Sequence, residues 1–123
     1  MHELGIATEI VNATVKAAAA HGAERVSAVA VEVGALQLVD VEALCAAFAA
    51  AAAGTLAAGA RLDVREVPLQ AVCRVCGTTY APAIDDYQCP RCHAADPEFV
   101  AGNDIMLMSI DLETAEEQQG EPH

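Results

Sequence analysis

Cys73-Arg74-Val75-Cys76 and, twelve residues on, Cys89-Pro90-Arg91-Cys92 are two C-x-x-C pairs in one short stretch of chain. Each pair makes a tight knuckle, and two knuckles at this separation bring four thiolates around one tetrahedral ion. Thiolates prefer a soft or borderline ion, and four of them saturate Zn²⁺ with no position left for water or substrate, so the pattern points to a closed structural zinc site. A rubredoxin-like iron site and dithiol redox chemistry are the rivals. A redox pair of the thioredoxin type sits at a helix N-terminus after a strand, and neither pair here follows that pattern. His93, directly after Cys92, reads either as a flanking loop residue or as an alternative zinc ligand. The fifth cysteine, Cys45, lies on an apolar helical stripe and reads as a small buried hydrophobe.

Outward from the cysteines the composition changes. Leu69 to Val100 contains Pro82, Pro90 and Pro97 and only short apolar runs. Before it, Leu4 to about Ala20 carries Ile6, Ile10, Ala13 and Ala17 beside Leu4, Ala7, Val11 and Ala18, the stripe of an amphipathic helix that His21-Gly22 ends. Val26–Val33 alternates as a strand, with Val29, Val31 and Val33 on one face. Asp40 is an N-cap for a helix from Val41 to about Ala53, with Val41, Leu44, Cys45, Phe48 and Ala52 as its buried stripe and Gly54 as its stop. A strand over Leu62–Val67 leads through Pro68 to the cysteines.

After Gly102-Asn103, the nearly continuous apolar run Ile105–Leu112 predicts a strand that returns to the sheet of the first domain, because the zinc segment cannot bury it. The expected fold is α+β: two helices packed on a small three-stranded mixed sheet, with an inserted zinc-ribbon-like domain. The expected organisation is an αβ domain over 1–68 and 101–113, a zinc-binding domain over 69–100, and a disordered acidic tail over 114–123.

Composition narrows the function classes. A net charge of −12, six basic residues and 3% aromatics argue against nucleic acid, which needs a cationic face and often aromatic platforms. The start Met-His-Glu-Leu-Gly has no basic n-region, so no signal peptide is expected, and the longest apolar run, Ala43–Ala53, is too short to cross a bilayer. Cysteines in metal spacing suit a reducing cytoplasm better than a disulfide framework. No nucleophile, histidine and acid constellation and no glycine-rich phosphate loop is present, so an enzyme is not expected.

The amino terminus offers a second kind of metal site. The α-amine of Met1, the deprotonated amide nitrogen of His2 and the His2 imidazole close a five-membered and then a six-membered chelate ring. Ni²⁺ and Cu²⁺ favour such tetragonal nitrogen donors, whereas Zn²⁺ gains nothing from a planar array. A second-position histidine also generally prevents removal of the initiator methionine. The plainer reading is a flexible terminal residue, but the first helix starts at once, so His2 and Glu3 are expected to sit against structure.

Met1-His2-Glu3-Leu4 running into a helix, Val31-Glu32-Val33-Gly34, Phe48, Gly54-Thr55-Leu56, the paired knuckles and Gly102-Asn103-Asp104 before a last strand fall in the order seen in one family. The chain resembles HypA/HybF, the hydrogenase maturation nickel metallochaperones, over Met1 to about Leu112. The resemblance implies a nickel-binding αβ domain and a four-cysteine zinc domain in a cytoplasmic protein. It implies that the protein delivers Ni(II) to the [NiFe]-hydrogenase large subunit with the help of a HypB-like GTPase. It implies nickel at His2, with Met1 supplying its amine and Glu3 adjacent, and zinc at Cys73, Cys76, Cys89 and Cys92. An acidic residue before the second helix, implicated in some members, corresponds to Asp40, and a histidine flanking the last zinc cysteine corresponds to His93. The reading from another class is a zinc-ribbon interaction or regulatory module that transports no metal.

Overall fold

The structure, a computed structural model, describes residues 2–114; Met1 and the expected acidic tail from residue 115 lie outside the described residues. The elements run α1 (His2–Ala20), β1 (Arg25–Gly34), a single 3-10 turn (Ala35–Gln37), α2 (Val41–Ala52), β2 (Arg61–Val67), β3 (Gln70–Cys73), β4 (Thr79–Tyr80), β5 (Pro97–Ala101) and β6 (Ile105–Glu113). They form an α+β fold with one three-stranded sheet in the order β2-β1-β6 and a second in the order β4-β3-β5. Hydrogen bonds from Glu24 N–H to Glu113 O and from Gly34 N–H to Asp104 O, both 2.8 Å, tie the start of β1 to the end of β6 and the reverse, so these two strands are antiparallel. β1 and β2 are instead joined through α2, the long crossover that parallel neighbours need, and the sheet is mixed.

The chain divides into two compact units, Met1–Val31 with Val39–Val64 and Leu107–His123, and Glu32–Leu38 with Arg65–Met106. The first unit packs α1 against α2. Ala7, Ile10, Val11 and Ala18 of α1 are buried with Leu44, Phe48 and Ala52 of α2 and with Val26, Val29 and Val31 of β1. The buried stripe of α1 keeps Ala7, Ile10, Val11 and Ala18 of the expected one and departs from it beside them. It passes through Thr14 and leaves Ala13 and Leu4 exposed, because the 3.6-residue repeat from Ala7 through Ile10 and Val11 reaches Thr14 next. Asp40 caps α2 as its sequence suggests: its backbone is extended and its side chain accepts from Ala43 N–H at 3.2 Å. Val41 and Cys45 flank the buried stripe of α2 at half exposure.

β6 returns to the sheet as expected but is only partly covered there by the described residues. It sits at the sheet's edge, and Met106, Leu107 and Met108 are exposed. An apolar run signals a strand, not which of its faces another element will cover.

In the second unit, β3 pairs antiparallel with β4 and β5. Ala71, Cys73, Tyr80 and Cys89 are buried together, with Phe99, Ala94 and the other two paired cysteines packed against them. The Tyr80 hydroxyl donates to Tyr87 O at 2.6 Å, and the Tyr87 ring meets Phe99 edge-on at 5.3 Å. Gly102 lets the chain pass: at φ +83° it lies so close to Pro68 and Leu69 that a Cβ there would sit 2.6 Å from Leu69 Cα.

Candidate metal centre

The two knuckles are built alike. In the first, Cys73 N–H donates to Thr78 O and Gly77 N–H to Cys73 O, both at 2.8 Å; in the second, Cys89 N–H donates to Ala94 O at 2.8 Å and His93 N–H to Cys89 O at 2.9 Å. Each loop turns through one left-handed residue after its second cysteine, Gly77 at φ +78° and His93 at φ +68°. Glycine adopts that conformation without strain, whereas histidine is among the few side-chain-bearing residues that visit it. His93 therefore occupies a turn position defined by backbone geometry. Arg74 ties the first knuckle to β5's approach, its N–H on Asp96 O at 2.9 Å and its guanidinium 3.4 Å from the Asp96 carboxylate.

The ligand atoms of Cys73, Cys76, Cys89 and Cys92 all lie within 4.8 Å of one another, the one such group of three or more metal-type side chains among the described residues. Cys73 Sγ is 3.6 Å from Cys92 Sγ, and Cys76 Sγ is 3.6 Å from Cys89 Sγ. A tetrahedron of sulfurs each about 2.3 Å from a zinc ion has edges of about 3.8 Å, so these spacings suit zinc. They are far too long for the roughly 2.05 Å of a disulfide. Cys73 and Cys89 are buried and Cys76 and Cys92 half-buried, which closes the centre to substrate. His93 is not in the group.

Electrostatics point the same way. Cys76 is pulled down to about 6, first by the Thr78 side chain, whose Oγ1 lies 3.2 Å from the sulfur, and then by the Thr78 backbone. Cys92 is pushed up to about 11: the Ala94 backbone N–H favours its thiolate, but burial and the other three cysteine sulfurs outweigh it. One thiol in the cluster ionises readily and another resists, because four sulfurs so close cannot share negative charge without a cation. A dication removes that conflict. Burial, and then the charge on Cys73, Cys89 and Cys92, also raises the Tyr80 phenol. Sequence reasoning missed Thr78 as the hydrogen-bond partner of Cys76; the signal available was a hydroxyl residue two positions after the second cysteine.

The amino-terminal residues lie elsewhere, in the first unit. α1 begins at His2, and Glu3 stands in its first turn. Glu3 Oε2 accepts the backbone N–H of Asp40 at 3.0 Å. The structure thus brings together Glu3 and Asp40, two residues that the sequence separates by thirty-seven positions. Asp40 is engaged through both its amide and its N-capping carboxylate.

Comparison with known proteins gives a consistent result. The sequence model of a family described as "Hydrogenase/urease nickel incorporation, metallochaperone, hypA" matches residues 1–112. A protein of Roseiflexus sp. (strain RS-1) named hydrogenase maturation factor HypA is 42% identical over 114 residues, 92% of this chain and 93% of its own. Its namesake in Chlorobium limicola is 39% identical over 113 residues, 92% of this chain and 97% of its own. The solution structure of the Ni metallochaperone HypA from Helicobacter pylori has a TM-score of 0.70 at 22% identity, covering 93% of this chain and 99% of that one, which bears on the fold alone.

Proposed function

The chain belongs to the HypA family of hydrogenase and urease nickel-incorporation metallochaperones, and from that premise we propose how its residues divide the work. Ni(II) is cargo, taken up at the first turn by the Met1 amine, the His2 backbone nitrogen and the His2 imidazole. Glu3 and Asp40 stand beside it. Zinc is resident, held by Cys73, Cys76, Cys89 and Cys92, with His93 beside the site as a turn residue. The nickel part corresponds to 1–68 with 101–113 and the zinc part to 69–100.

The observation that carries this reading is the 3.0 Å hydrogen bond from Asp40 N–H to the Glu3 carboxylate. It supports a terminus held against the start of α2, where a few nitrogen donors can gather an ion and still let go. A metallochaperone needs such a shallow site: a partner's histidine or cysteine adds to the open side of the nickel while the terminus leaves. A closed four-sulfur site offers no such entry.

The protein works without a reaction of its own, in the cytoplasm, passing nickel to the [NiFe]-hydrogenase large subunit alongside a HypB-like GTPase. No described helix is long and apolar enough to cross a membrane.

The test is a Ni²⁺ titration of untagged, zinc-loaded protein beside His2→Gln and beside a protein extended by two residues before Met1. Both changes are expected to abolish tight nickel binding and leave zinc content unchanged. Undiminished binding by the extended protein would move the nickel site elsewhere. No binding by the unaltered protein would favour an interaction module that carries zinc alone.

A further inference from the structure

We infer that the four-cysteine centre is also a reversible switch: a small peroxide oxidises its thiolates to two disulfides, Cys76–Cys89 and Cys73–Cys92, which hold the unit together as zinc leaves. The inference rests on the zinc reading of these residues. Both sulfur contacts of hydrogen-bond geometry in the centre run from one knuckle to the other, Cys76 Sγ to Cys89 Sγ and Cys73 Sγ to Cys92 Sγ, each at 3.6 Å. Reaching the roughly 2.05 Å of a disulfide takes a closing movement of about 1.5 Å in each pair.

Burial divides the roles within each pair. Cys76 and Cys92 are half-buried, within reach of a small oxidant, whereas their partners Cys89 and Cys73 are buried. An accessible thiolate beside a sheltered resolving cysteine is how reversible thiol sensors are built. The buried partners also keep the cross-links inside the unit's own core, where Cys73 and Cys89 lie with Ala71 and Tyr80. The two bridges close nested loops, 76–89 inside 73–92, and so restrict the unfolded chain where the ion had done so.

The chemistry needs hydrogen peroxide and nothing else. The Cys76 thiolate attacks one peroxide oxygen, the O–O bond breaks, and Cys76 becomes a sulfenic acid as hydroxide departs. The Cys89 thiolate then attacks the Cys76 sulfur; the S–S bond forms, the S–O bond breaks, and a second hydroxide leaves. Two thiolates have given two electrons to one peroxide. A second peroxide is reduced in the same way by Cys92 and Cys73. With its thiolate ligands gone the centre no longer binds the dication, yet the knuckles remain joined. A dithiol reverses both steps by exchange and returns the four ligands.

The test treats zinc-loaded protein with a small excess of hydrogen peroxide, blocks remaining thiols with iodoacetamide and digests with trypsin in the absence of reductant. Cleavage after Arg65, Arg74 and Arg91 separates the cysteines into peptides 66–74, 75–91 and 92–123. Cys76–Cys89 is then an internal loop of 75–91, and Cys73–Cys92 joins 66–74 to 92–123. These are the expected products. Zinc release to a chromogenic chelator should keep pace with the first disulfide, the chemical-shift dispersion of residues 69–100 should persist, and dithiothreitol with added zinc should restore the starting state. Cys45→Ala, which removes the one cysteine outside the centre, is expected to give the same pairing.

A disulfide joining 75–91 to either neighbouring peptide would overturn the proposal, since it requires pairing other than the one inferred. So would sulfinic acid in place of disulfide, loss of dispersion on oxidation, or thiols that stay reduced under prolonged millimolar peroxide. Metal analysis of the reduced protein comes first and separates the two readings. Reduced protein without zinc would overturn the zinc assignment and the switch together, whereas zinc present with any of the other failures would overturn the switch alone.

Discussion

Glu3→Ala tests the contact that links the amino-terminal turn to the second helix. The substitution removes one carboxylate oxygen 3.0 Å from Asp40 N–H. A hydrogen bond to a charged acceptor contributes about 1.5–3 kcal/mol where water is excluded, and Glu3 and Asp40 are partly exposed, so about 1 kcal/mol is appropriate here. Glu3 also places negative charge in the first turn of α1 and beside the N-terminus of α2, each a favourable helix-dipole interaction of about 0.3–1 kcal/mol at the surface. The expected loss is therefore about 1.6–3 kcal/mol, a Tm lower by roughly 6–12 °C for a chain of this size.

Glu3→Gln keeps an acceptor and drops the charge, so it should lose about half as much. Asp40→Asn keeps both the backbone donor and a good N-cap and should cost less than about 0.5 kcal/mol. Thermal unfolding gives the stabilities, and exchange of the Asp40 amide gives the local contact: in Glu3→Ala it should speed up roughly tenfold relative to Ala52 in the same helix. An Asp40 amide that exchanges equally fast with and without the Glu3 carboxylate would refute the contact, and with it the reason for placing Glu3 and Asp40 beside the nickel donors.

The other expectations concern the zinc unit and the helical core. Cys73→Ser or Cys89→Ser should lose zinc and the chemical-shift dispersion of residues 69–100 while α1 and α2 persist, measured by metal analysis and NMR, since both sulfurs are buried in that unit's own core. In zinc-free protein at neutral pH, iodoacetamide should modify Cys76 before Cys92, as read by peptide mass spectrometry. A depressed thiol stabilises the folded state above its ordinary range, so Cys76's contribution should fade as pH drops through about 6. Thr14→Val should raise stability by about 1 kcal/mol in denaturant titration, because Thr14 Oγ1 is buried without a hydrogen-bond partner among the described residues. His93→Gly should stabilise the zinc unit by about 0.5–1 kcal/mol against thermal unfolding with zinc stoichiometry unchanged, because glycine relieves the left-handed turn; a fall in stoichiometry would mark His93 as a ligand.

The features that announced themselves in the sequence were those governed by local chemistry. C-x-x-C spacing dictates knuckles, Asp40 before an apolar run dictates a cap, and Gly54 after it dictates a stop; all three are present in the fold. Long-range geometry was less legible. No periodicity in α1 or α2 says that the Glu3 side chain reaches Asp40 N–H, because that depends on how two helices pack. The apolar character of β6 revealed a strand but not an edge, since hydropathy does not encode which neighbours a strand receives. Thr14 was passed over because a polar residue at a core position breaks the binary pattern from which helical stripes are read.

Two metals on one small chain raise the question of why they do not exchange places. Bare affinity gives no protection, since nitrogen and sulfur donors alike bind Ni²⁺ and Zn²⁺ and favour Cu²⁺ over both. Separation has to come from geometry and from the order of occupation. The four sulfurs at 3.6 Å edges match a tetrahedral ion, which suits a d¹⁰ cation without directional preference and denies nickel the planar array it gains from. Zinc also completes the fold of the unit that holds it, so its departure would carry the free energy of unfolding that unit. The amino-terminal donors proposed for nickel would carry no such penalty, since no unit's core is built around them. Tight retention and ready release are thus assigned by how much structure each ion holds together, more than by the donor atoms alone.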